Sequence, residues 1–125
     1  MRHWRNRLAE ERGSATVEWT LVAGLLTLVF LSVLQVGFAM HIRTTLIDAA
    51  AEGARHAGLE GATAMDGYLR TEALIATAVS ADYVEDITVE RGETLVTVTV
   101  RAPLPLIGLI GFPDGVEVTA HAPVE

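Results

Sequence analysis

Hydrophobic and polar positions divide the chain into three regimes. Residues 1–18 are polar and arginine-bearing, and Trp19 to Met40 then reads WTLVAGLLTLVFLSVLQVGFAM, twenty-two residues without a charge. At 1.5 Å per residue this run makes roughly 33 Å of helix, against a bilayer hydrocarbon core of about 30 Å. Thr20, Thr27, Ser32 and Gln35 soften it, yet a hydroxyl can bond back to its own helix. Past Met40 the helical period persists. Ile42, Leu46, Ala50, Ala54 and Gly58 form one stripe, and Ala49, Gly53, Ala57 and Gly61 an adjacent one, with Asp48, Glu52 and Arg55 opposite. The pattern predicts one continuous helix from about residue 15 to about 58, ended by Gly58 and Gly61. A row of small residues at Ala49, Gly53 and Ala57 lets another backbone come close, either the chain's own sheet or a neighbour's helix; an amphipathic helix ordinarily faces its own core, which favours the sheet.

A second helix is expected from about Asp66 to Ser80, with Leu69, Ala73, Ala76 and Val79 toward the core. The period then becomes two. Ile87 and Val89 mark one strand, Val96, Val98 and Val100 the next, and Val116, Val118 and Ala120 a third. Arg91-Gly92-Glu93 reads as a hairpin connection. Helices followed by an antiparallel meander of about three strands predict an α+β fold. Between the last two strands, Pro103, Pro105 and Pro113 forbid a regular central strand while Leu106, Ile110 and Phe112 ask for burial. That segment is either a loop folded over the open face of the sheet or an exposed patch that meets another subunit or the membrane surface. Charging Leu106 and Ile110 separates the two, since an interaction loop loses assembly and a core loop loses folded protein.

Charge gives the apolar run a direction. The chain's net charge of −7 splits into +1 over the first eighteen residues, where Arg2, Arg5, Arg7 and Arg12 face Glu10, Glu11 and Glu18, and −8 beyond. Four arginines precede the run and only Arg43 and Arg55 follow it closely, so the positive-inside bias puts the N-terminus in the cytoplasm and residues 41–125 outside it. An acidic outer part argues against nucleic acid, whose binders need a basic patch to replace phosphate counterions. With no cysteine, disulfides, thiolate metal sites and cysteine nucleophiles are excluded.

The small-x-small triplet Gly37-Phe38-Ala39 keeps a second reading open, in which a signal peptide is cut after Ala39 and a soluble protein released. The length of the run favours a retained anchor, because a signal's apolar region spans about 7–15 residues. A third reading is an unprocessed single-pass protein with an outer ligand-binding domain. Nothing resembles a catalytic centre. His3, His41, His56 and His121 are scattered without HExxH spacing, GLEGATAMDG lacks the Lys-Ser/Thr of a phosphate loop, and no GxSxG occurs. The expectation is a non-enzyme with no cofactor, no metal and no small-molecule substrate.

At the head of the run stands ERGSATVEW, Glu11 to Trp19. Gly13 would let a short extended stretch enter a protease at the membrane surface, and cleavage after it would free an amine on Ser14. Glu18 would then be the fifth residue of the processed chain, at the apolar edge, where a carboxylate either meets a partner such as a neighbour's new ammonium or simply rests among headgroups. The Arg-rich leader, GSATVEW, the apolar helix and DAAAEGARHA (Asp48 to Ala57) together resemble the TadE-like pseudopilins of tight-adherence, or Flp-type, pilus systems. Trp19 stands where that family commonly has Tyr or Phe, so an aromatic is kept. The resemblance implies a pilin-like fold: a basic leader over 1–13, a transmembrane helix over 14–40 and an extracytoplasmic domain over 41–125. It implies processing between Gly13 and Ser14 by a prepilin peptidase, an assembly role for Glu18 and Trp19, and a single-pass place in the inner membrane. The implied partners are other pilin-like subunits and the pilus assembly machinery, toward a minor, structural role in a pilus for cell adhesion.

Overall fold

The computed structural model describes residues 2–79, 84–103 and 115–125, and at 2–6, 8 and 9 the backbone alone. Helix α1 runs Arg2–Gly58, helix α2 Ala64–Ala78, and the strands are β1 Asp86–Arg91, β2 Leu95–Ala102 and β3 Val116–Pro123. The α+β order is the expected one. The chain divides into two compact units, Met1–Gly37 and Phe38–Glu125.

In the first unit α1 starts well before the expected residue 15. Arg, Leu, Ala and Glu are strong helix formers, no proline interrupts them, and a single interior glycine at Gly13 costs only about 1 kcal/mol. The helix is nearly bare. Its large apolar side chains from Leu21 to Val36 are 50–69% exposed, a continuous apolar surface that water does not tolerate around a whole helix. The hydroxyls do bond back: Thr20 to the carbonyl of Thr16, Thr27 to that of Ala23 and Ser32 to that of Leu28, each at 2.8 Å.

In the second unit the C-terminal part of α1 buries Ile42, Leu46, Ala50 and Ala54 in a core with Val96, Val98 and Val100 of β2 and Val118 and Ala122 of β3. These are the stripe positions expected; of the apolar strand residues expected, Val96, Val98, Val100 and Val118 are buried, while Ile87, Val89, Val116 and Ala120 are only partly so. The sheet is a meander of order β1-β2-β3, antiparallel throughout. Gly92 N–H donates to Leu95 C=O at 2.9 Å to close the first hairpin. Between α1 and α2, Ala62 N–H donates to Leu59 C=O at 3.0 Å, and Gly61 sits at φ +78° in the third position of that turn, where glycine carries no steric cost.

Helix α2 departs from expectation. Its buried residues are Gly67, Thr71 and Ile75, whereas Leu69, Ala73 and Ala76 are exposed and Val79 only half-buried. The reason lies in what it packs against. A Cβ on Gly53 of α1 would run into the Thr71 hydroxyl and come within 3.0 Å of the Gly67 carbonyl, and a Cβ on Gly67 would lie 2.6 Å from that of Ala57. Two helices meeting this closely need small residues on both faces. The expectation that Ala49, Gly53 and Ala57 face the sheet is therefore corrected at Gly53 and Ala57, which meet the chain's own second helix.

Candidate functional site

The residues singled out at the head of the apolar run all lie on α1, because nothing in ERGSATVEW breaks a helix. At 100° per residue Ser14 and Glu18 fall on one side, one turn apart, with Glu11 a further turn back. Glu18 is exposed and forms no ion pair among the described residues. Trp19 is 73% exposed beside it, an aromatic of the kind that settles at a membrane–water boundary. Gly13 has open space where a side chain would stand. Opposite Glu18, Thr16, Thr20, Ala23, Gly24 and Thr27 share a face of small residues, which reading the run only for hydropathy misses; the four-residue spacing of Thr16, Thr20 and Gly24 is the signal that finds it.

The remaining candidates separate from this group. Ala49, Gly53 and Ala57 are buried within the second unit, where Gly53 and Ala57 serve its internal helix crossing. Leu106, Ile110 and Phe112 lie outside the described residues.

The polar chemistry of the second unit is structural in character. Glu52 takes Arg55 at 3.7 Å and Arg70 of α2 at 3.8 Å, half-exposed pairs that contribute little. Arg91 Nε donates to the Ala57 carbonyl at 3.0 Å, capping the end of α1 from β1. Asp66 accepts from the Thr63 N–H at 2.7 Å while its own N–H donates to the Thr63 hydroxyl at 3.3 Å, a reciprocal cap on α2. The Thr63 backbone donor, aided by the Thr63 hydroxyl, holds the Asp66 carboxyl below its ordinary range. Tyr68 is pushed the other way by its hydrogen bond to Glu72 and that residue's charge. Among the described residues no group of three His, Asp or Glu is placed to hold a metal ion.

On the outer face of the sheet, registered neighbours pair across strands. Arg101 Nε donates to Glu117 Oε2 at 2.7 Å, and the Thr97 hydroxyl and His121 Nδ1 lie 3.0 Å apart.

One comparison with known proteins bears on the helix. Residues 13–55 match the model of the TadE-like protein family, a segment that opens on Gly13 and carries through the apolar run to Arg55. The resemblance to TadE-like proteins noted in the sequence holds over that segment. No curated protein and no solved structure matches the chain significantly.

Proposed function

We propose that the chain is a minor pseudopilin-type subunit in the assembly of a tight-adherence pilus. Its apolar helix is long and apolar enough to cross a membrane. In this reading the helix enters the inner membrane with the arginine-bearing leader in the cytoplasm, and the acidic domain of residues 41–125 stands outside. A prepilin peptidase removes residues 1–13, leaving an ammonium on Ser14. The Glu18 carboxylate meets the corresponding ammonium of a neighbouring subunit, and Trp19 holds the helix at the boundary. The role is structural and needs no cofactor.

The observation that carries the reading is where the family match lies. It begins at the proposed processing point and includes Glu18, the apolar run and the first buried residues of the outer domain. It also spans Gly37-Phe38-Ala39, which favours a retained helix over a signal peptide cut there.

Intact mass and N-terminal sequence of the protein from its native cells test the proposal. A chain beginning at Ser14 and released only by detergent supports it. A soluble product beginning at Met40 belongs to an exported protein, and an uncut chain to an unprocessed single-pass protein. Gly13→Leu should abolish processing. Because a side chain at 13 meets nothing, the variant keeps its helix, and normal processing would refute the assigned site.

A further inference from the structure

Helix α2 is apolar on two faces, and only one of them is covered. Gly67, Thr71 and Ile75 are buried. Met65, Leu69, Ala73 and Ala76 gather on the opposite side at 100° per residue and are exposed, Met65 by 62% and Leu69 by 55%. A helix apolar all round is ordinarily buried all round, and an exposed apolar patch marks a contact. Among the described residues nothing lies over this face. Residues 80–83 join Val79 to Val84, which lines a cleft with Tyr68 and Ile75 on the β1 side of α2. Residues 104–114 join β2 to β3 at the end of the sheet away from Pro123, and Pro123 is the residue that meets Gly58. The length of an eight-residue strand, about 25 Å, separates that end from the one where α2 begins. The open face also looks sideways. α2 runs back along α1, since Ala57 meets Gly67 while Thr45 and Ala49 line one groove with Leu74 and Ala78. Its outer face therefore points across the axis of α1, toward a molecule standing alongside.

We infer that the outer face of α2, formed by Met65, Leu69, Ala73 and Ala76, is an interface between two copies of this chain, paired with their α2 helices parallel about a two-fold axis running along them.

Charge fixes the occupant and the direction. Arg70 lies on the flank of the face nearer α1, where it reaches Glu52, and Glu72 on the flank nearer β1, where it accepts from Tyr68 and lines the cleft with Ile87. Two residues apart, they differ by about 3 Å in height along the helix. A two-fold along parallel helices brings opposite flanks together, so each Arg70 stands beside the partner's Glu72. An antiparallel pair brings like flanks together, Arg70 on Arg70 and Glu72 on Glu72, which repel. The contact of Arg70 with Glu52 at 3.8 Å leaves guanidinium donors to spare. The parallel pair also sends both copies of α1 the same way, as two chains in one membrane require, and to that extent the inference rests on the anchoring proposed above. Four side chains are far fewer than the roughly 20–30 residues a side of a standard interface. The contact is therefore weak in solution and depends on confinement to one membrane, which raises the effective concentration of each copy.

The chain has no cysteine, so single cysteines report on the pairing. Full-length protein is oxidised mildly in its native membranes, extracted with detergent and read on a gel without reductant. Parallel pairing sets each residue of the face opposite its own copy, so Leu69→Cys and Ala76→Cys should each give a disulfide-linked dimer. The two sites lie about 10 Å apart along the helix, more than the roughly 4.4–6.8 Å between Cα atoms that a disulfide spans, so an antiparallel pair can link at one of them at most. Thr119→Cys, exposed on β3, should stay monomeric. Arg70→Glu should lower linking through Ala76→Cys at least tenfold, and adding Glu72→Arg should restore it, with folded protein recovered equally from both. Linking at neither or only one of 69 and 76 overturns the inference. So does linking to a different protein alone, or equal linking at 119, which belongs to association through the apolar helix. A double variant that fails to restore linking refutes the parallel register. Protein absent from the membrane fraction overturns the anchoring and the inference with it; protein present there but unlinked overturns the inference alone.

Discussion

Gly53 is the residue on which the second unit's helix crossing turns. Gly53→Ala places a methyl on the Thr71 hydroxyl and 3.0 Å from the Gly67 carbonyl. Overpacking of this kind costs about 1–3 kcal/mol, to be read as a loss in thermal or urea stability. Thr71→Ala in the same chain removes the obstructing hydroxyl and should restore part of the loss, whereas Gly24→Ala, with open space around it, should be nearly neutral. At this scale the sequence was legible where a residue's character matched its place: Ile42, Leu46 and the β2 valines are apolar and buried. It was misleading at Leu69, because choosing α2's core side by hydrophobicity overlooks that a close helix crossing selects for smallness. Gly67 and Thr71, four apart like Gly53 and Ala57, carry that signal.

For α2 as an element, the start is set by Thr63 and Asp66, with Asp at the position where Glu or Gln is more usual in a reciprocal cap. Hydrophobic spacing, which starts the pattern near Asp66, does not register such a cap. Thr63→Ala should destabilise the domain by about 1 kcal/mol, measured by chemical denaturation. The same cap makes an acid prediction. The carboxyl of Asp66 is lowered in the folded state, so the stability it contributes is present above the unfolded carboxylate range and is lost as pH falls through the lowered folded value. Acid denaturation of the parent chain should therefore include a component below about pH 4, and Thr63→Ala should reduce it. The strands were the most legible elements, since Val96, Val98 and Val100 alternate with Thr97, Thr99 and Arg101 without exception. The α1 start was the least, because a leader of helix-forming residues has no boundary to read when no cap or proline supplies one.

Across the whole molecule, the apolar run decides where the protein resides. Leu28→Asp puts a carboxylate near the middle of the run, where a charge costs about 2.5–3.5 kcal/mol of insertion free energy. The fraction resisting alkaline extraction from membranes should fall markedly, while Ser32→Ala should leave it unchanged. The candidate processing and assembly residues were nameable from the sequence because Gly13, Ser14 and Glu18 lie within one short motif. The order of the strands was not, since which strand lies at the end of the sheet appears only when the strands are paired.

The hydroxyls of Thr20, Thr27 and Ser32 have one more consequence. Each is already committed to a carbonyl of its own helix, so in lipid none of them needs a companion. At these three positions the helix can change neighbours without first surrendering a polar bond. Lateral movement of such a helix in a bilayer is then limited by fit against its neighbours and not by these three hydroxyls.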